Sequence, residues 1–210
     1  MVTVETDPVR VESRLSAGQV GCPDCPGALR PWGWARPRVV HGIGGMLRPR
    51  RARCGVCLVT HVLLPVTVLL RRAYAADVVG AALLVRAAGQ GHRAIGAALE
   101  VPAATVRGWL RVMAGRLETT RVHLLQIAIR AGVDVTVPVA LGCPWRDLLA
   151  ALGVATAAVT GRFGPVGVLG PVTRWQVAVA CSAGRLLAPD WPAARAGELA
   201  TRIAPDVRGG

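Results

Sequence analysis

The stretch CPDCPGALRPWGWARPRVVHGIGGMLRPRRARCGVC, Cys22 to Cys57, holds four of the six cysteines of a 210-residue chain, as two Cys-x-x-Cys pairs. Each pair turns two thiolates toward one point. Two such turns complete a tetrahedral four-sulfur shell that suits Zn²⁺. The 28 residues between Cys25 and Cys54 are enough for a β-hairpin that carries the second turn back to the first. Within and beyond it, RPRVVHGI and ARCGVCLVTHVLL read as short strands, and GIGGM (Gly42–Met46) as the turn between strands. The expected ligands are Cys22, Cys25, Cys54 and Cys57. A closed shell leaves no position for water or substrate, so this zinc is structural, supplying folding energy to a segment with a small core. An iron site, a thiol redox pair and a site lost to drift compete for the same spacing. His61 lies four residues after Cys57 and could replace a thiolate. With four cysteines closing the shell, it reads instead as a strand histidine. Cys143 and Cys181 lie in apolar helical contexts and read as small core residues.

The charge pattern adds a partner. Twenty-five basic residues face 12 acidic ones, for a net +13. Every basic residue is arginine, which the codon bias of a GC-rich genome explains. It does not explain their placement. Nine arginines and no acid lie between Cys25 and Ala76. Such a stretch repels itself unless a polyanion is near. Nucleic acid is the first expectation and an anionic membrane surface the second. Arg36, Arg38, Arg48, Arg50, Arg51 and Arg53 are expected on the outer face of the hairpin, against phosphates. Trp32 and Trp34, two apart on a strand, share a face. Packing beside the metal is the more common role for such a pair, and stacking on bases or sugars the rarer one.

A membrane span is not expected. The longest apolar run, CLVTHVLLPVTVLL (Cys57–Leu70), contains His61 and Pro65 and falls short of the roughly 20 residues a span needs. ALGVATAAVTGRFGPVGVLGPV (Ala151–Val172) is interrupted by Arg162, Pro165 and several glycines. The N-terminus carries acids early and lacks the apolar core of a signal peptide. The expected location is cytoplasmic, where paired cysteines more often bind metal than form disulfides.

After the cysteine region, helical periodicity takes over. A helix is expected from about Ala75 to Ala88, ended by Gly89 and Gly91. HRAIGAALEVPAATVRGWLRVM (His92–Met113) gives two more helices with a break at EVP. Ile95 and Leu99 share a face of the first. Gly96 is small where two helices cross, and Val101 plugs the turn. Pro102 opens the second, whose buried stripe is Val106, Leu110 and Met113, flanked by Trp109. RLETTRVHLLQIAIRAG gives another helix, with Leu117, Leu124, Leu125 and Ala128 on one face and Gly132 at its end. PWRDLLAALGVA begins with Pro144 in a first helical turn. TRWQVAVACSAGRLL has Thr173 and Gln176 at capping-box spacing. WPAARAGELATRI repeats the proline start at Pro192. GVDVTVPVAL is the one strand-like stretch of this half. LRRAYAA and RAGVDVTVPVALGCP read as linkers.

The pair of helices resembles the helix-turn-helix of bacterial transcription factors and transposases. The resemblance implies a second helix whose N-terminal half reads base edges in the major groove, here with Ala103, Ala104, Thr105, Arg107 and Arg111. Arg107 suits guanine O6 and N7, or a phosphate. The departure is Glu100, where the turn usually has glycine. A left-handed residue there costs roughly 1–2 kcal/mol. The cysteine region resembles a zinc ribbon, with two departures. Pro26 follows Cys25 and cannot donate an amide proton to sulfur, and Leu58 follows Cys57 where glycine is common. Together, from about Gly21 to Leu117, the two elements resemble a family of zinc-ribbon plus helix-turn-helix proteins of GC-rich bacteria. They are also similar to the N-terminal DNA-binding region of insertion-sequence transposases.

The expected fold is mainly α: a flexible tail (1–20), a small β zinc ribbon (21–70), a helix-turn-helix (71–117) and a helical C-terminal region (118–210). The expected function is binding of double-stranded DNA, as a transposition accessory factor or transcriptional regulator. A transposase or integrase and a second copy of the chain are the expected protein partners. No catalytic residues are expected. Strand transfer needs carboxylates converging on two metal ions, and the acids after the helix pair are Glu118, Asp134, Asp147, Asp190, Glu198 and Asp206: Asp147, Glu198 and Asp206 read as solvated helix-face residues, Asp190 as a helix start, and Asp134 lies in a single strand-like stretch that does not make a catalytic sheet. Alternative readings are a zinc-dependent protein-interaction or thiol-sensing module, and a degenerate transposase.

Overall fold

The computed structural model describes residues 1–132, 134–164 and 172–192. Over these residues the chain is mainly α with a small mixed sheet. The order is β1 (Val2–Val4), α1 (Pro8–Ser16), β2 (Leu29–Trp34), β3 (Arg38–Val39), β4 (Met46–Leu47), β5 (Arg50–Cys54) and β6 (Thr60–Pro65), followed by α2 (Ala76–Ala87), α3 (His92–Ala98), α4 (Ala103–Ala114), α5 (Leu117–Ala131), α6 (Pro144–Phe163) and α7 (Arg174–Cys181). The sheet has the order β1-β6-β5-β2, with β1 parallel to β6 and the other pairs antiparallel. β3 and β4 pair separately around the glycine turn. No described helix is long and apolar enough to cross a membrane.

The first twenty residues are not a flexible tail. Val2–Val4 pairs with Leu63–Pro65. Asp7 caps α1 by accepting from the amides of Val9 and Arg10, and Pro8 occupies its first turn, where its missing N–H costs nothing. Val11 and Leu15, one turn apart, are buried. They close a small core with Val4, Val20, Leu29, Ala52, Cys54 and Leu63.

A second, larger core runs from Val66 to Trp191 and takes in α2 to α7. α2 is its centre, touching α3, α4, α6 and α7. Its sequence, ADVVGAALLVRA, is apolar on every side, as a central helix requires. Gly80 is there because the indole of Trp175 lies on it; a Cβ would stand 2.1 Å from the ring. The expected linker LRRAYAA is tied down instead. The Leu70 amide donates to Gly184 O at 2.8 Å, and Arg72 donates to Leu187 O at 2.7 Å. Asp134–Ala140 forms no strand among the described residues. It lacks a neighbouring edge and exposes Val137 and Val139. Thr173 and Gln176 make both bonds of the capping box, and Pro144 stands in the first turn of α6. The helix expected after Pro192, with Glu198 and Asp206, lies outside the described residues.

Candidate metal centre and nucleic-acid interface

Two reverse turns bring the cysteine pairs together. Cys22 and Cys25 precede β2. Cys54 ends β5, and Cys57 lies in the turn to β6. Their sulfur atoms all lie within 4.8 Å of one another, with Cys22 and Cys57 at 3.7 Å and Cys25 and Cys54 at 3.4 Å. Four sulfurs about 2.3 Å from one tetrahedral ion would be about 3.8 Å apart. The size of the cluster is thus compatible with one bound metal ion.

The backbone is arranged for thiolates. The amides of Asp24, Gly27 and Val56 donate to the sulfurs of Cys22, Cys25 and Cys54 at 3.5, 3.4 and 3.3 Å. In each case the donor is two residues after the cysteine. Pro26, one residue after Cys25, therefore costs no bond. The second departure does cost something. Leu58 has φ 61°, the left-handed conformation that disfavours a Cβ. Gly27 is required, because a Cβ there would lie 2.8 Å from the Cys54 sulfur. Burial opposes ionisation of Cys54, but the amides of Val56 and Cys57 and the thiols of Cys25 and Cys57 outweigh it and bring its pKa down to about 6. For Cys57 the Val59 amide favours the thiolate, yet burial and the three neighbouring sulfurs push it up to about 12.

His61 is buried on β6. Its Nε2 is 3.6 Å from the Cys22 sulfur and 3.6 Å from a carboxylate oxygen of Asp24. These two residues border the cluster, and the sequence pattern marked Asp24 not at all. Cys181 is buried and its thiol is pushed up to about 12 by burial, in keeping with a core residue.

The arginines of this region divide into two groups. Arg36, Arg48 and Arg51 are exposed and have no ion-pair partner among the described residues. Arg38 and Arg53 are half-buried. Arg50, expected to face phosphate, grips Glu12 with two bonds of 2.8 and 2.9 Å. The acid comes from α1, which the acid-free stretch of sequence could not reveal. The two tryptophans do not join the core around the cysteine cluster, and both stay about half exposed, at 55 % and 49 %. A bulge between Pro31 and Gly33 shifts the register and gives them different partners. Trp32 lies 4.6 Å beneath Arg53. Trp34 lies 4.8 Å from Arg50, in the cleft beside Pro8, Val9 and Glu12 of α1.

α3 and α4 are joined by four residues, Leu99 to Pro102. Gly96 carries the crossing: a Cβ would be 2.7 Å from Val101 O and 3.2 Å from the Ala103 Cα. Glu100 takes φ 53°, and Val101 is buried beneath the turn. Val106, Leu110 and Met113 are buried, as is Trp109, whose ring meets the edge of Tyr74 at 5.0 Å. The opposite face exposes Ala104, Arg107 and Arg111 around the half-exposed Gly108, with Ala103 and Thr105 half-buried at its margin. Beside this face is a cleft of about 320 Å³, lined by Arg86, His92, Arg107, Arg111 and Trp145. Arg86 lies over the indole of Trp145. Trp145 comes from α6, so periodicity within the helix pair gave no sign of it.

No protein family, curated protein or solved structure matches this chain.

Proposed function

We propose that the chain is a double-stranded DNA-binding protein, built from a four-cysteine zinc ribbon and a helix-turn-helix, acting as a transcriptional regulator or as an accessory to transposition rather than as an enzyme. The observation that carries the reading is the α3–α4 pair. Its tight crossing at Gly96, left-handed turn residue and buried plug leave the 104, 107, 108 and 111 face of α4 outward. That face holds two arginines, two small residues and no acid. Small residues let a helix approach the floor of the major groove, and arginines reach guanine edges or phosphates. Zinc is the metal that four thiolates in a closed tetrahedron suit best. It would fix the turns that present Arg36, Arg48, Arg51 and Arg53 to the backbone of the duplex.

Fluorescence anisotropy with a labelled duplex tests the reading across salt concentrations. If about five arginines touch phosphates, the log–log slope is roughly −4 to −5. Arg107→Ala narrows the difference between a selected site and random duplex, whereas Arg51→Ala weakens both alike. A slope near zero would remove the electrostatic basis of duplex binding.

A further inference from the structure

We propose that the open face of the β2–β5–β6 sheet binds unpaired nucleobases, as a second nucleic-acid site separate from the duplex-binding face of α4. Register places Arg30 opposite Arg53 and Arg53 opposite Thr60 in one row across the three strands. The next row holds Gly33, Arg51 and Val62. The bulge at Trp32 inserts the indole between these rows. The opposite face is filled by Leu29, Ala52, Cys54 and Leu63 packed with α1 residues. Among the described residues, the far end of the open face is covered where Leu64 packs with Val40, Ile43 and Leu47, and Arg30 at its near end lies against Ser16 and Gly18.

Two features identify the occupant. Like charges directly opposite in a sheet are destabilising, yet Arg30 and Arg53 are paired in this way and no acid shares the rows. Both guanidinium groups are held by main-chain carbonyls, Arg30 by Ser16 O at 3.0 Å and Arg53 by Leu58 O at 3.0 Å. They are pre-positioned rather than neutralised, which complements an anionic backbone. The second feature is Trp32. Arg53 steadies its ring by a cation–π contact, while the side chain remains 55 % exposed. A half-exposed indole beside Arg53, with Arg30 opposite that arginine in the sheet, offers a stacking surface with phosphate partners near it, the arrangement by which proteins hold single strands. Bases inside a duplex have no free face for such a surface.

The site rests on the duplex-binding reading in sharing Arg51 and Arg53 with it, but Trp32 belongs to the sheet alone and Arg107 to α4 alone, so variants of these two residues tell its failure from that of duplex binding. The full-length, zinc-loaded protein is titrated into fluorescein-labelled oligo(dT), oligo(rU) and a duplex at low salt. Binding of either oligonucleotide supports the site, and the tighter of the two identifies the sugar. Trp32→Ala is expected to weaken oligonucleotide binding roughly tenfold, from the usual contribution of one stacked base, and to change duplex binding less than twofold. Trp32→Phe is expected to restore most of the loss. Arg107→Ala should do the reverse, weakening the duplex and sparing the oligonucleotides. Zinc content and melting temperature confirm that Trp32→Ala is folded, and Trp32→Gln, which keeps a longer side chain, serves as a second variant. Oligonucleotide binding absent in the wild type, or unchanged in both Trp32→Ala and Trp32→Gln, overturns the proposal.

Discussion

Two glycine-to-alanine substitutions, one in α3 and one in α4, should move stability in opposite directions. Alanine is favoured over glycine inside a helix by about 1 kcal/mol. At Gly108 a Cβ meets nothing within 4 Å, so Gly108→Ala should gain close to that full amount. At Gly96 the same methyl would be 2.7 Å from Val101 O, a separation no relaxed Cβ adopts. The obstructing atoms are main chain of Val101 and Ala103, at the end of the turn and the start of α4, so α3 and α4 must part by several tenths of an ångström. Overpacking of this kind costs about 1–3 kcal/mol. Set against the helix gain, Gly96→Ala should destabilise by about 1 kcal/mol net. For a chain of this size, each kcal/mol moves the melting temperature by about 2–4 °C. The two variants should therefore melt about 4–8 °C apart, with the wild type between them. Circular dichroism at 222 nm during heating, repeated in urea, is the assay. A Gly96→Ala protein as stable as Gly108→Ala would refute the close crossing of α3 and α4.

Two other outcomes follow from the geometry. Protein purified without added metal should carry one zinc per chain. The double substitution Cys54→Ser, Cys57→Ser should carry none and lose the strand signal of the N-terminal sheet; elemental analysis and circular dichroism check both. Burial lowers the pKa of His123 below its ordinary value of 6.5, outweighing the hydrogen-bond partner Cys181 O. The unfolded chain therefore takes up this proton first as the pH falls. Stability should be full above 6.5 and decline below it, and His123→Leu should flatten that decline in urea titrations at pH 5 to 7.

The parts legible in the sequence were those set by local rules. The Cys-x-x-Cys spacing located the sulfur cluster, and helical periodicity located α2, α3 and α4 within a residue or two. Thr173 and Gln176 announced their own capping box. α1 was equally announced, since Asp7 and Pro8 make a helix start and Val11 and Leu15 lie one turn apart. Its charged composition concealed it. What local rules could not reach were contacts made across the chain. Glu12 neutralises Arg50 from 38 residues away. The Pro26 departure proved harmless only because the amide that matters belongs to Gly27. The alternation of Trp32 and Trp34 implied a shared face, but one bulged residue cancels that rule. The valines at 135, 137 and 139 looked like a strand because alternation cannot say whether a partner edge exists.

The position of α2 bears on how the molecule responds as a whole. It supports α3 and α4 on one side and receives α6 and α7 on the other, with Gly80 pressed against Trp175. A helix held from both sides cannot shift toward one neighbour without leaving a void beside the other. If α4 meets a duplex as proposed, strain imposed there would be shared with the C-terminal helices, and a ligand seated on those helices would alter duplex affinity by the same factor that the duplex alters its own. A chain shortened at Leu117 would lose that reciprocity together with the contacts that α2 makes with α6 and α7.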